Sequence, residues 1–178
     1  KKELSPWSYR LHGLVQLSQL GVTKNWHKGG YNYTSVLGVI TGRLDFDNKK
    51  KVKWENSLEW RIGVNSLPKE QDKDGNEIDK LKNYLVNDDI LRLNSKYGVK
   101  AAGNFYYSTS LEVETQFFEN YKDQSFSELK ARALTPFRMN IGIGMDYKPK
   151  DFLSIALSPV AFKYIYLNDT TSRNGSPI

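Results

Sequence analysis

Apolar and polar residues alternate with a period of two through most of the chain. The clearest run covers residues 51–65, where even positions are mainly apolar and odd positions are mainly charged. Successive side chains of a β-strand point to opposite sides, so this pattern predicts a strand with one apolar and one charged face. Because helical periodicity is almost absent, we predict an all-β chain.

The alternation predicts seven strands. The other six runs cover residues 9–20, 31–46, 89–101, 105–117, 137–147 and a segment that begins at Phe152. Long connections at 21–30, 66–88 and 119–134 alternate with short ones at 47–50, 103–104 and 148–151. In an antiparallel meander, every second connection lies at the same end, so all the tight turns share one end and all the long loops share the other.

This asymmetry between short and long connections is typical of outer-membrane barrels, which have short periplasmic turns and longer outer loops. The predicted strands are also long enough to cross a bilayer, which requires about 9 to 11 residues when a strand is tilted. We therefore predict one domain over residues 1–178, an antiparallel up-and-down transmembrane β-barrel. The segments 66–88 and 119–134 are its predicted long outer loops.

The composition excludes several other classes. The 178 residues include 26 Lys and Arg, 20 Asp and Glu and no Cys, and the mean hydropathy is −0.60. Without cysteine there is no disulfide scaffold, thiol nucleophile or cysteine zinc site. No apolar run approaches the ~20 residues of a membrane-spanning helix. The basic residues are dispersed except at residues 49–51, which argues against nucleic-acid binding and suits contact with anionic lipid head groups.

Aromatic residues are abundant for such a hydrophilic chain, with 11 Tyr, 8 Phe and 4 Trp. Most fall near the predicted strand ends, whereas aliphatic residues occupy the middle of the strands. Two aromatic girdles around an aliphatic band are typical of membrane barrels. Trp60, in the middle of its strand, is an exception.

The alternation assigns two sets of residues to opposite sides of the barrel wall. The predicted lipid-facing residues are Leu58, Trp60, Ile62, Leu111, Val113, Ile141, Ile143, Ile155 and Leu157. The predicted charge network of the lumen comprises Glu55, Glu59, Arg61, Arg92, Lys96, Lys100, Glu112, Glu114, Arg138 and Asp146. Because isolated buried charges are costly, we expect these groups to pair across strands, with Arg92 and Lys96 facing Glu112 and Glu114.

A soluble lipocalin-like barrel that binds a small apolar ligand would show the same alternation with the faces exchanged. The length of the strands, the glycines among the charged positions and the two aromatic girdles favour the membrane barrel. In that case the protein is a non-enzymatic structural or accessory subunit, or a small porin-like protein. An outer-membrane enzyme is a third hypothesis.

Five segments share a recognisable order along the chain: Trp26-x-x-Gly29-Gly30-x-Asn32, residues 54–58, 93–98 and 145–149, and Leu157-Ser158-Pro159. Together they resemble an uncharacterised family of Bacteroidota outer-membrane β-barrels, a domain of unknown function. The resemblance implies an outer-membrane protein of a Gram-negative bacterium, in contact with membrane lipid and lipopolysaccharide and with other outer-membrane proteins. It implies no reaction or cofactor. Members of that family are longer and seven strands is an odd number, so we expect this chain to be the N-terminal portion of a larger barrel.

Other candidate sites are weak. His12 and His27 have no serine and acidic partners in a nucleophile arrangement, so we predict no catalytic residue. Residues 72–79 are similar to a calcium loop, but glycine comes too early for an EF-hand. Residues 169–171 match a short O-glycosylation pattern of Bacteroidota. We predict no cofactor, no metal site and no nucleic-acid partner.

Overall fold

The computed structural model describes residues 5–23, 25, 32–66, 84–121, 129–150 and 152–167. This part of the chain contains nine β-strands and no helix, so the all-β prediction is confirmed. The strands are β1 (Trp7–Leu20), β2 (Tyr33–Asp47), β3 (Val52–Ser66), β4 (Tyr84–Ala102), β5 (Phe105–Thr115), β6 (Asn120–Tyr121), β7 (Leu129–Ala131), β8 (Phe137–Lys150) and β9 (Leu153–Tyr166).

Seven long strands form one antiparallel sheet in the order β1-β2-β3-β4-β5-β8-β9. Each strand pairs with the preceding long strand, as the predicted meander requires. Strands β6 and β7 form a separate two-stranded sheet within the chain segment that connects β5 to β8. In the described chain β1 and β9 are the edges of the sheet, and they are not paired with each other.

Tight turns join β2 to β3 and β4 to β5. Asn48 holds the first turn, because its side-chain Oδ1 accepts hydrogen bonds from the amides of residues 50, 51 and 52 at 2.9 to 3.0 Å. In the second turn Gly103 has a φ of 54°, a left-handed conformation that glycine adopts without steric cost. These turn residues therefore fix the register of both hairpins.

Strand β4 begins at Tyr84, whereas the alternation predicts Asp89. The pairing of β3 with β4 shifts between Gly63 and Val64, because β4 contains one extra residue at Asn87. The added residue reverses the alternation of apolar and polar side chains before it, which hides residues 84–86 from a period-two pattern. A side chain at position 63 would meet Asn87 Oδ1 at 2.6 Å, so glycine makes room for the bulge.

The predicted loop segments differ from the structure in two respects. Residues 84–88 of the segment 66–88 belong to β4, and residues 67–83 lie outside the described residues. The segment 119–134 contains β6 and β7. These strands are too short for an alternation to reveal them.

The sheet has one apolar and one polar face. The apolar face continues across all seven long strands, and among the described residues no hydrophobic side chain is buried. Residues with exposed rings or aliphatic chains on this face include Tyr9, Leu11, Ile40, Leu58, Leu93, Tyr107, Ile143, Leu157 and Phe162. The part of the chain that the structure describes therefore has no apolar core of the kind that stabilises a soluble domain.

Candidate functional site

Pairing across the sheet brings all ten predicted lumen charges onto one face. Glu59, Arg92, Glu114 and Arg138 are direct neighbours on β3, β4, β5 and β8. All other members of the set occupy alternate positions of the same four strands, so their side chains share this face. We call it the polar face.

The four aligned residues form a ladder of alternating charge. Glu114 lies at its centre and accepts hydrogen bonds from Arg92 Nη2 at 2.7 Å, Arg92 Nε at 3.1 Å and Arg138 Nη1 at 2.9 Å. Arg92 Nη1 also lies 3.7 Å from Glu59 Oε2. The ladder therefore links four strands through side chains in addition to their backbone hydrogen bonds.

The predicted pairing of Arg92 with Glu114 is observed, but Lys96 does not contact Glu112 or Glu114. Lys96 lies opposite Ser110, and its Nζ is 2.6 Å from Asp146 Oδ2 on β8. The lysine side chain reaches this carboxylate across β5. Asp146 is almost buried and also accepts a hydrogen bond from Ser108 Oγ at 3.3 Å.

Further ion pairs on this face involve residues that the sequence analysis did not single out. Arg61 pairs with Asp88, Arg43 Nε lies 2.9 Å from Asp45 Oδ2, and Lys53 Nζ lies 3.3 Å from Asp47 Oδ2. Asp45 and Asp47 alternate with apolar residues of β2, a signal that was available in the sequence. Asp88 was missed because the sequence pattern places it in the predicted loop 66–88, although it has the same phase as Arg92.

Not every predicted lumen charge is paired. Among the described residues, Glu55 and Lys100 have no ion-pair partner. Glu112 accepts only a long hydrogen bond from Asn140 Nδ2, at 3.4 Å. The network is therefore charge-compensated near the ladder and leaves two carboxylates available to solvent or solutes.

A cavity of about 480 Å³ lies over the polar face. Its lining extends from Arg43 on β2 to Ser158 and Ala161 on β9, so the sheet curves and its polar face is concave. Serine, asparagine, glutamate, lysine and arginine side chains supply most of the polar groups around this cavity. Such a surface suits water and polar solutes better than an apolar ligand.

The opposite face carries all nine predicted lipid-facing residues. Strand pairing places Leu58 beside Leu93, Leu111 beside Ile141, and Tyr147 beside Ile155 on this side. Ile143 is 53% exposed and Leu157 is 64% exposed, whereas Trp60, Ile62 and Leu111 are half-buried by their neighbours. The face is thus largely apolar and uncovered over the described sheet, and its polar side chains include Asn56 and Ser95, which are hydrogen-bonded to each other.

Aromatic rings cluster on this face at the end of the tight turns. The rings of Trp7 and Phe46 lie 4.9 Å apart, those of Trp7 and Trp54 lie 6.1 Å apart, and Phe105 stacks on Tyr147 at 4.6 Å. The first two contacts join rings from β1, β2 and β3, and the third contact joins rings from β5 and β8. Tyr106, another aromatic residue near the tight turns, lies instead on the polar face opposite Asp146.

A second aromatic cluster lies at the end of the long loops. Phe117 and Phe118, which follow β5, pack on Trp60 with ring centroids 5.9 and 6.4 Å apart, so Trp60 joins this cluster from the middle of β3. Asp89, which is 9% exposed, accepts hydrogen bonds from the backbone amides of Phe117 and Phe118, the first at 2.9 Å. One carboxylate thereby anchors the chain that follows β5.

The other candidate sites gain no support. His12 is exposed on edge strand β1. His27, the calcium-like loop 72–79 and residues 169–171 lie outside the described residues. No group of three or more potential metal ligands occurs in the described part of the chain. Within the same part, no helix has the length and apolarity to cross a membrane.

Comparison with known proteins places the chain among uncharacterised relatives. The sequence model of a family described as a protein of unknown function (DUF3078) matches residues 17–121. The match extends from within β1 through β5 to β6, and so includes the ladder residues Glu59, Arg92 and Glu114. No curated protein and no solved structure matches the chain.

Proposed function

Because this chain belongs to the DUF3078 family of unknown function, we propose a role from the chemistry of its two faces. The protein is an integral β-barrel protein of the outer membrane, with its apolar face against lipid and its concave polar face toward a water-filled or ion-paired lumen. Its role is that of a non-enzymatic structural or accessory subunit, or of a small porin-like protein.

The observation that carries the proposal is the uncovered apolar face. Burial of apolar area contributes roughly 25 cal/mol per Å², so leaving seven strands of Leu, Ile, Val and aromatic side chains in water would be very unfavourable. Monomeric soluble proteins rarely expose apolar patches of more than a few hundred Å². Hydrocarbon chains of lipid cover such a face without any further protein layer, and the aromatic clusters at both strand ends match the positions of interfacial girdles.

The polar face supports the same arrangement. Its arginines, lysines and carboxylates compensate one another in the ladder and in the pair of Lys96 with Asp146. A carrier of apolar ligands would instead line its concave side with apolar side chains, whereas most of the residues that line this cavity have polar or charged side chains. The proposal also requires backbone partners for edge strands β1 and β9, because unpaired amides and carbonyls are not tolerated in hydrocarbon.

Alkaline extraction tests the location of the protein. Membranes from cells that express the protein are washed with carbonate at high pH and then with detergent. An integral protein stays in the pellet until detergent is added, whereas a soluble carrier is released by the first wash. Release without detergent would refute the membrane proposal and favour the lipocalin-like alternative.

Arginine substitutions on strand β8 test the orientation of the sheet. Ile143→Arg places a charge on the apolar face near the middle of β8, and Asn140→Arg is the matched change on the polar face. Arginine at a lipid-facing midplane position costs about 2 to 4 kcal/mol in membrane barrels. We expect Ile143→Arg to lower the fraction inserted into vesicles and Asn140→Arg to insert nearly as well as the unsubstituted protein. Equal insertion of both variants would contradict the assignment of faces.

A further inference from the structure

Lysines from three separate tight turns meet at one end of the sheet. They are Lys49, Lys50 and Lys51 between β2 and β3, Lys100 before the turn from β4 to β5, and Lys148 and Lys150 before the turn from β8 to β9. We call these six residues the lysine rim. The sequence separates its members by up to a hundred positions, and the meander brings them together.

Backbone hydrogen bonds connect the three turns directly. The Lys100 amide donates to the carbonyl of Lys51 at 2.6 Å, and the Lys148 amide donates to the carbonyl of Asn104 at 2.9 Å. Each turn is thereby attached to the next one along the sheet. The rim is consequently a continuous surface.

The ammonium groups of the rim have no carboxylate partners among the described residues. Lys148 Nζ lies 5.9 Å from the ring centre of Tyr106, and Lys150 Nζ lies 5.5 Å from that of Phe152. The nearby carboxylates Asp47 and Asp146 are already paired with Lys53 and Lys96. Within the described ranges, the rim therefore presents positive charge that no carboxylate pairs with.

The lysine rim lies at the same end as the aromatic cluster of Trp7, Phe46 and Trp54. In the register of β2 with β3, Phe46 and Trp54 are within a few residues of Lys49 to Lys51. Interfacial aromatic rings lie at the depth of the lipid carbonyls and head groups. If the aromatic cluster marks that boundary, the adjacent lysines reach the plane of the phosphates.

We propose that the lysine rim binds the phosphate groups of anionic phospholipids in the membrane leaflet at the end of the tight turns. This inference rests on the proposed membrane location and adds a lipid preference to it. Lys100 and Lys148 lie on the polar face with Tyr106, so contact with lipid falls to Lys49, Lys50 and Lys51 at the tip of their turn and to Lys150 beside Phe152. Lipid phosphates are a better match for these lysines than an acidic protein, because they lie beside the aromatic rings of the apolar face. At the other end of the sheet, the described charges include the acidic residues Asp88, Asp89 and Glu119 together with Arg132.

Quenching of tryptophan fluorescence by brominated lipids measures this preference. Trp26→Phe and Trp60→Phe substitutions leave only Trp7 and Trp54, both beside the lysine rim. The protein is reconstituted in phosphatidylcholine vesicles that contain brominated phosphatidylglycerol or brominated phosphatidylcholine. The two quenching curves give the binding constant of the anionic lipid relative to the zwitterionic one.

We expect a several-fold preference for phosphatidylglycerol that decreases with added salt. A lysine that contacts a head group contributes up to about fivefold (~1 kcal/mol). Replacing residues 49–51 by glutamine should remove most of the preference, whereas arginine at the same three positions should retain it. The turn itself should persist in both variants, because Asn48 holds it through backbone amides.

The outcomes separate the two proposals. Quenching by neither lipid would mean that the tryptophans are not in a bilayer, and the proposed function would fail. Equal quenching by both lipids, or a preference that survives the glutamine substitutions, would overturn the lysine rim as a phosphate site and leave the membrane location intact. Stronger competition by lipopolysaccharide than by phosphatidylglycerol would also overturn it, since the rim would then belong to the opposite leaflet.

Discussion

Glu114 is the residue on which the charge ladder depends, and its replacement by glutamine tests the ladder most directly. The substitution keeps the size and shape of the side chain and removes its negative charge. It leaves Arg92 with only the more distant Glu59, at 3.7 Å, and Arg138 without an ion-pair partner in the described chain. The variant therefore isolates the electrostatic part of the interaction.

The expected cost follows from the number of bonds and from their exposure. Glu114 accepts three charge-assisted hydrogen bonds, which each contribute about 1.5 to 3 kcal/mol when shielded from water. Its side chain is 25% exposed and those of Arg92 and Arg138 are 32% and 41% exposed, so screening by water reduces these values substantially. We expect Glu114→Gln to lower the free energy of unfolding by ~2 kcal/mol. This is less than the sum of three shielded hydrogen bonds, because water screens these exposed groups.

Glu55→Gln is the matched control, because Glu55 lies on the same face and has no ion-pair partner among the described residues. Guanidinium unfolding of protein folded in phospholipid vesicles, followed by tryptophan fluorescence, gives the free energy of each variant. We expect a change of less than ~0.5 kcal/mol for the control, as for most surface substitutions. Equal destabilisation by both variants would refute the idea that the ladder stabilises the sheet through specific pairs.

Two further substitutions test close packing and loop anchoring. Gly144→Ala should destabilise the pairing of β8 with β9 by ~1 to 3 kcal/mol, because a Cβ atom there would clash with the carbonyl oxygen of Leu157. Gly98→Ala, where the nearest atoms would be 3.8 Å from the new Cβ, should be tolerated in the same unfolding assay, and equal effects of the two substitutions would argue against this packing. Asp89→Ala should free the backbone amides of Phe117 and Phe118 and increase their rates of hydrogen exchange severalfold. Amides in the middle of β5 should keep their protection and serve as the control. Unchanged exchange of the two amides would show that the carboxylate does not anchor that segment.

Much of the sheet could be predicted from the sequence because one physical signal dominates it. Strand β3 was expected over residues 51–65 and is observed at Val52–Ser66, and β5 was expected to begin at Phe105, as it does. Both strands have one strongly apolar and one strongly polar face, so their alternation is unambiguous. The Gly103-Asn104 turn was equally clear, since few other residue pairs suit it.

The parts that the sequence did not reveal are those where the alternation breaks. The bulge at Asn87 reverses the alternation in β4 and hides the first residues of that strand. Strands β6 and β7 are too short to show a period of two. The partner of Lys96 was also missed, because pattern analysis considers neighbouring strands only. Ser108 is small and the glycines at 142 and 144 have no side chains, so Lys96 can reach Asp146 two strands away.

The described sheet has an odd number of long strands, and this number sets the relative direction of its two edge strands. Successive strands are antiparallel, so β1 and β9 run the same way even though they lie at opposite edges. Each edge therefore pairs antiparallel only with a strand that runs in the opposite direction to β1 and β9. If two copies of this sheet lie side by side in the same orientation, the β9 edge of one copy meets the β1 edge of the other in parallel, whereas a single strand of the opposite direction can pair antiparallel with both edges. In the proposed membrane barrel, the odd strand count thus limits which strands can complete the wall.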